Sequence, residues 1–433
     1  VRYPSGVKIL DEIHVMGGSS LSGEISIQGS KNAALPMMAA SLMHRGTSVL
    51  RGCPGISDVF CMEEILKSLG AVTRWKGHDL YLDCTDADQT EVSALFTGRM
   101  RSSVILLAAV LGRNKVCRIG YPGGCTIGKR PIDLHLMALK ELGAEIEENS
   151  SYIYACCNGF RGTEIVFGKS SVGATQQAIL AAVLAEGETI LKNCAGEPEV
   201  VWLCRYLRSM GAEISGEGKT EIRIRGVREL SAGDFHIPPD RIVAGTYMCA
   251  AAVTKSEIRL RRVPLEEMKA FLDVYRKMGG QYEWKSGTLS VNGKTAVHPV
   301  PFIQTGTYPG FPTDLQAPLM AVLTGVRGKS VIREKIFEDR FGSAFQMKKM
   351  GAHIEISGAD AVITGGCPLR GCTVKAGDLR GGAALILAAM SAEGETCIRD
   401  ARLIGRGYEH ICEDLRALGC QIRQSSSKGN ERL

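Results

Sequence analysis

No apolar run in this chain is long enough to cross a membrane. The longest, VILLAAVLG at 104–112, falls far short of the roughly 20 residues that a spanning helix needs. The first residues, VRYPSGVKILDEIHVMGG, hold no apolar signal core. Fifteen cysteines are scattered along the chain without one CxxC pair. That pattern argues against zinc ligation and suits a reducing compartment. A cytoplasmic protein is expected, with no membrane insertion, no metal and no nucleic-acid partner. The formal net charge of +6 over 433 residues is mild. It reads as ordinary solvation or as a concentrated anion-binding cleft.

What the chain does have is a phrase repeated six times: LKSLGAVT, LKELGAEI, YLRSMGAEI, YRKMGGQY, MKKMGAHI and LRALGCQI. The aligned glycines are Gly70, Gly143, Gly211, Gly279, Gly351 and Gly419, separated by 73, 68, 68, 72 and 68 residues. A period this long means one supersecondary unit copied six times. Upstream of the phrase, each copy carries a small-residue apolar run, such as NAALPMMAASLM, ATQQAILAAVLA and GGAALILAAM. Alanine favours helix and needs little room, so a run apolar on nearly every side predicts a buried helix. The helix before the glycine differs. Met62, Leu66 and Leu69 recur as Leu203, Leu207 and Met210 and as Ile411, Leu415 and Leu418. The i, i+4, i+7 spacing gives one apolar stripe, and the glycine after it fits a left-handed C′ position. Short strand-like pieces follow, as in DLYLDC (79–84), EIRIRG (221–226) and AVITGG (361–366). The length suits two lobes of three units, with a break near HIPPD at 236–240, where two prolines interrupt the pattern.

Two clusters point to chemistry. YPGGCTIGKRP (121–131) sets Cys125 among glycines and next to Lys129 and Arg130. Nearby cations favour thiolate, so Cys125 is a candidate acid or nucleophile, whereas most other cysteines read as small core residues. The second cluster lies at the starts of the buried helices: Lys31–Asn32, Arg99 and Arg101, Ser171–Val172–Gly173, Asp240–Arg241, Thr313–Asp314 and Asp378–Leu379–Arg380. Helix N-termini carry unpaired N–H groups and partial positive charge. Converging starts would bind an anion. Each residue also has a plainer reading: Asp314 as an N-cap, Lys31 and Arg380 as solvated charges.

At these residues the chain resembles the UDP-N-acetylglucosamine 1-carboxyvinyltransferases, the enolpyruvyl transferases that open peptidoglycan synthesis. The resemblance rests on GSKNAALP (29–36), PGGCTIGKRPIDLH (122–135), KSSVGAT (169–175), EPEVV (197–201), PDRI (239–242), FPTDLQA (311–317), IFEDRF (336–341), DLR (378–380) and RGYE (406–409). It implies an inside-out α/β barrel of two lobes and six βαβαββ units. One lobe would span 31–238 and the other 1–30 with 239–433, the active site lying in the cleft between them. It implies phosphoenolpyruvate and UDP-N-acetylglucosamine as partners, no cofactor and no metal. Cys125 would deliver a proton and Asp314 would act as the base. Lys31, Arg130 and Arg406 would hold the phosphate and carboxylate of phosphoenolpyruvate. Asn32, Arg101, Arg130, Pro131, Ile132, Asp133, Leu134, Lys169, Ser170, Ser171, Val172 and Ile336 would contact the nucleotide sugar, and Arg340 and Arg380 would bind substrate.

Three positions depart from the family pattern: Gly405 before RGYE, Trp202 after EPEVV, and Gly381 after DLR. The Gly381–Gly382 pair is expected to loosen a helix start beside a ligand-binding arginine. Two alternatives stay open. One is a 3-phosphoshikimate 1-carboxyvinyltransferase, which shares the six-unit fold but not the cysteine loop. The other is a non-catalytic paralogue, in which Lys31, Cys125, Asp314 and Arg406 would have no reason to stand together.

Overall fold

A computed structural model describes residues 11–123, 127–128 and 131–425. The chain divides into two compact units. The N-terminal unit is Gly29–Cys125 with Arg130–Pro238; the C-terminal unit is Val1–Gln28 with Thr126–Lys129 and Pro239–Leu433. In chain order the helices of the N-terminal unit are α1 (Lys31–Ser41), α2 (Ser57–Ser68), the single turn α3 (Ala94–Thr97), α4 (Leu106–Asn114), α5 (Asp133–Glu141), α6 (Val172–Ala182) and α7 (Pro198–Ser209). Those of the C-terminal unit are α8 (Arg241–Val253), α9 (Lys269–Lys277), α10 (Gln316–Gly325), α11 (Gly342–Lys349), α12 (Leu379–Ser391) and α13 (Ile411–Ala417).

The small-residue runs fold as expected. Ala33–Ser41 of α1, Leu106–Gly112 of α4 and Ala174–Ala182 of α6 are buried throughout. So are Ile242–Ala252 of α8, Gln316–Thr324 of α10 and Arg380–Met390 of α12. Only short side chains let a helix be enclosed on every side without voids or overlap. The other six long helices bury one stripe, as in α7, where Val200, Leu203, Cys204 and Leu207 face inward. The six repeated glycines end these helices at φ between +84° and +104°. In every copy the next N–H closes a six-to-one bond, from Ala71 to Leu66 O, Ala144 to Leu139 O, Ala212 to Leu207 O, Gly280 to Tyr275 O, Ala352 to Met347 O and Cys420 to Leu415 O, at 2.8–3.0 Å. A side chain with a Cβ resists that left-handed turn, which is why glycine recurs there.

Each unit holds three four-stranded sheets. A sheet pairs two strands in parallel across a buried helix and adds an antiparallel hairpin. Glu164–Val166 thus lies parallel to Glu188–Lys192, which runs antiparallel to Glu221–Arg225. Strands alternate buried and exposed residues, as in Glu257–Arg261, so each sheet covers helices with one face.

Two strands break the simple period. Glu24–Ser26 precedes α1 in sequence but pairs with Glu257–Arg261 in the C-terminal unit. Asp234–His236 precedes α8 but pairs with Thr47–Arg51 in the N-terminal unit. The first strand, Glu12–Met16, joins the sheet of the last repeat, between Glu395–Arg399 and Ile422–Ser425. A repeat period reports local units and carries no information about such exchanges.

Close approach of sheet to buried helix also fixes two glycines that the repeat phrase does not include. A Cβ on Gly226 would lie 1.6 Å from Ala185 O, and one on Gly293 would lie 2.0 Å from Ala251 O. Backbone cannot yield there as a flexible side chain can. Gly226→Ala and Gly293→Ala are each expected to lower stability by about 1–3 kcal/mol, read as a lower urea midpoint. Midpoints equal to the parent's would show that the helix ends tolerate displacement.

Candidate active site

In the C-terminal unit the starts of the buried helices carry a knot of charge. Asp240 caps α8, its Oδ1 accepting from the N–H groups of Ile242 (2.8 Å) and Val243 (3.1 Å). Asp378 caps α12 likewise, accepting from Arg380 and Gly381, both at 3.0 Å. Asp314 does not follow this pattern, and its plain N-cap reading fails. It sits inside a single 3-10 turn, Thr313–Leu315, and α10 starts after it without a side-chain cap. Its carboxylate meets guanidinium groups instead: Arg340 Nη2 reaches Oδ1 at 2.6 Å and Arg380 Nε reaches Oδ2 at 3.3 Å. Arg340 also approaches Asp378 at 3.6 Å. Arg340 and Arg380 are not solvated charges, since their side chains are 4% and 3% exposed. Burial disfavours charge on Arg380, but Tyr408, Asp314 and Asp240 more than offset it and hold the guanidinium above its ordinary range. Arg380 Nη1 and Arg340 Nε find no acceptor among the described residues. Buried guanidinium N–H groups in that condition suit an anionic ligand.

Arg406 closes a 3-10 turn, Ala401–Arg406, and is half-buried. The chain after it is clamped by Gln28, whose side chain donates to Gly407 O (3.1 Å) and accepts from Glu409 N–H (2.8 Å). Tyr408 shares a hydrogen bond of 2.8 Å with Thr246 of α8. Ile336 is half-buried on a turn held by Glu334. Neither Gln28 nor Glu334 stood out in the sequence.

The expected loosening at Gly381–Gly382 does not occur. α12 runs through both glycines, and a Cβ on Gly382 would meet Ile404 Cγ1 at 2.6 Å. Trp202 packs edge-on to Phe235 and lies under Arg205. Nothing lies within 4 Å of a Cβ built on Gly405.

In the N-terminal unit Lys31 is the first residue of α1, whose cap Ser30 accepts from Ala33 N–H at 3.4 Å. Lys31 is not a solvated charge: it pairs with buried Asp58 of α2 at 2.6 Å. Asn32 beside it is half-buried. The starts at 99 and 101 differ in kind. Arg99 is exposed, while Arg101 opens a 3-10 turn, Arg101–Ile105, ahead of α4 and donates to Pro122 O at 3.3 Å. That turn packs against both α1 and α6. Ser171 caps α6 by accepting from Ala174 N–H at 3.4 Å. Lys169 is exposed, and Ser170, Ser171 and Val172 are half-buried. Ile132 is buried before α5, Pro131 and Asp133 are exposed, and Leu134 is half-buried.

Cys125, Lys129 and Arg130 lie outside the described residues. Two neighbours of the cysteine are described. Ile127 O accepts from Asp339 N–H at 3.1 Å. A Cβ on Gly128, at φ +131°, would fall 2.3 Å from Glu338 Oε2. None of the fourteen described cysteines forms a disulfide with another of them. Burial pushes the thiols of Cys84, Cys194, Cys204 and Cys412 up to about 12 and that of Cys420 to about 11. Such thiols are poor nucleophiles near neutral pH. Among the described residues Glu12, His14 and Cys397 stand close enough to share a cation. Arg399 already lies 3.4 Å from Glu12, and Arg423 2.9 Å from the neighbouring Glu395, an arrangement that repels a metal ion.

Residues 15–415 match the family model described as EPSP synthase (3-phosphoshikimate 1-carboxyvinyltransferase). The chain is 41% identical over 415 residues to UDP-N-acetylglucosamine 1-carboxyvinyltransferase 2 of Caldanaerobacter subterraneus, covering 95% of this chain and 99% of that one. It is 38% identical over 423 residues to the Helicobacter pylori UDP-N-acetylglucosamine 1-carboxyvinyltransferase, covering 97% and 100%. Among solved structures it is similar to the enolpyruvyl transferase NikO from Streptomyces tendae, with a TM-score of 0.87 at 25% identity over 96% of this chain and 99% of that one. An Acinetobacter baumannii EPSP synthase matches with a TM-score of 0.75 at 18% identity over 96% and 100%, a likeness of fold alone.

The charge knot has a direct energetic consequence. Arg380→Met removes one of the two guanidinium groups around Asp314, and breaking a buried pair in this way costs about 3–5 kcal/mol. The urea midpoint should fall, and Arg380→Met combined with Asp314→Asn should recover part of the loss. Simple additivity of the two changes would contradict the pairing.

Proposed function

The chain belongs to the UDP-N-acetylglucosamine 1-carboxyvinyltransferase family, and from that premise we propose the activity and assign its residues. The protein transfers the enolpyruvyl group of phosphoenolpyruvate to the 3′-hydroxyl of UDP-N-acetylglucosamine and releases phosphate. This is the first committed step of peptidoglycan synthesis, carried out in the cytoplasm. The observation that carries the reading is the buried pair of guanidinium groups, Arg340 and Arg380, with Asp314 held between them at the heads of α10 and α12.

The chemistry is an addition followed by an elimination. The sugar oxygen attacks C2 of phosphoenolpyruvate while a proton reaches C3, giving a tetrahedral ketal with a methyl group. Loss of a methyl proton and of phosphate then restores the double bond as an enol ether. One group must deliver a proton and another must take the hydroxyl proton. Cys125 is the donor in this scheme and Asp314 the acceptor. Lys31, Arg130 and Arg406 neutralise the phosphate and carboxylate and Arg380 also binds substrate, so that charge developing on the departing phosphate is met by fixed cations. Asn32, Arg101, Pro131, Ile132, Asp133, Leu134, Lys169, Ser170, Ser171, Val172, Ile336 and Arg340 serve the nucleotide sugar. Asp58 supports the assignment of Lys31, because a buried carboxylate at 2.6 Å limits where that ammonium can point.

The 3-phosphoshikimate alternative is disfavoured. The relatives that cover nearly the whole chain at about 40% identity carry the nucleotide-sugar name, whereas the EPSP synthase structure is 18% identical.

Two experiments test the assignments. Asp314→Asn keeps the shape of the side chain and removes the base. Turnover should fall by roughly two to four orders of magnitude while UDP-N-acetylglucosamine still binds calorimetrically. Turnover close to the parent's would leave Asp314 as a structural anchor only. The epoxide fosfomycin, with UDP-N-acetylglucosamine present, should alkylate Cys125 alone among the fifteen cysteines, and Cys125→Asp should stay active and become insensitive. Adducts spread over several peptides would contradict the role of the loop.

A further inference from the structure

Glu334 is a buried carboxylate, 4% exposed, and no Lys or Arg among the described residues forms an ion pair with it. Burying a charge without a counter-charge is costly unless hydrogen bonds satisfy it. Here four donors do so. Oε1 accepts from Thr305 Oγ1 (2.8 Å), Ile336 N–H (2.7 Å) and Phe337 N–H (3.2 Å), and Oε2 accepts from Thr313 Oγ1 (2.9 Å). Thr305 Oγ1 in turn accepts from Lys335 N–H at 2.9 Å. No single neutral side chain offers two oxygens able to take four donors.

What those donors belong to is the point. Thr313 immediately precedes Asp314, on the same 3-10 turn. Ile336 and Phe337 open the segment that runs to Arg340, the residue that grips Asp314 from its other side at 2.6 Å. Between them lies Asp339, whose N–H holds Ile127 of the cysteine loop. One carboxylate therefore sets the spacing between the Asp314 turn and the 336–340 segment, whose Asp339 holds Ile127.

We propose that Glu334 is a positioning residue for the transfer reaction. Its Oε2 arm aims Asp314 through Thr313, and its Oε1 arm fixes the nucleotide-sugar segment through Ile336 and Phe337. The inference rests on the activity proposed above. Its signature is a split that a merely structural residue would not give. Thr313→Val cuts only the Oε2 arm, so kcat should fall by roughly tenfold to a hundredfold, the scale of a small misalignment of reacting groups, with KM for UDP-N-acetylglucosamine unchanged. Glu334→Ala cuts both arms, so kcat should fall and KM should rise together. Glu334→Gln keeps an acceptor at the Oε1 position, and should restore KM more fully than kcat.

The test measures kcat and KM of the three variants per folded molecule, with amide hydrogen exchange across 334–340 on each. Support is the split just described together with faster exchange at Ile336 and Phe337 in Glu334→Ala and parent-like exchange in Glu334→Gln. Folded variants with parental kcat and KM overturn the proposal. So does a loss of activity that only tracks the unfolded fraction. A parent protein that does not turn over sinks the activity itself. In that case slow exchange at Ile336 and Phe337 in every variant would also sink the claim that Glu334 fixes the segment, and fast exchange in Glu334→Ala alone would uphold that claim.

Discussion

A helix enclosed by protein on every side has no solvent face on which to place long side chains. Six helices among the described residues are in that position, and the constraint organises the rest. It dictates alanine and glycine along α1, α4, α6, α8, α10 and α12, whose central residues are almost wholly inaccessible. It leaves the amphipathic helices and sheets to cover them. The helix starts leave orphan N–H groups that side-chain acceptors can satisfy. Ser30, Ser171, Asp240 and Asp378 are those acceptors.

Where the acceptors are carboxylates, they bring negative charge to the helix start, and arginines follow. Asp378 caps α12 and also approaches Arg340; Arg380, two residues on, reaches Asp314. The same enclosure that demands caps thus assembles a set of fixed cations with unsatisfied N–H groups. Charges held in advance stabilise developing charge without reorganising at the moment of reaction. The architecture and the chemistry of anionic substrates are in this sense one problem. Glu334 extends the theme: a carboxylate out of water, used for the direction of its four hydrogen bonds.

The sequence made the local features legible. Spacing along one helix predicts its stripe, a glycine at its end predicts a left-handed turn, and an alanine run predicts burial, because each depends on residues close in the chain. Four of the six helix starts fall where the residues placed them. Thr313–Asp314 did not, because Asp314 points at arginines 26 and 66 positions away, which no local pattern encodes. Gln28 was invisible for the same reason, being 381 positions from Glu409. Asp58 and Glu334 did not stand out, since nothing in SDVFCMEE or REKIF distinguishes a buried carboxylate from a solvated one. The strand exchanges before α1 and α8 also escaped the period, which counts units and is silent about which unit a strand joins. Resemblance to a family, carried by motifs such as GSKNAALP, supplied the proposed roles.

The most direct measurement is phosphate release from phosphoenolpyruvate with the acceptor varied, combined with mass analysis of the product. The account predicts phosphate release that requires UDP-N-acetylglucosamine, with a product heavier by one enolpyruvyl group, and no release when shikimate 3-phosphate is supplied instead. Release with shikimate 3-phosphate, or no release with the nucleotide sugar, would contradict it.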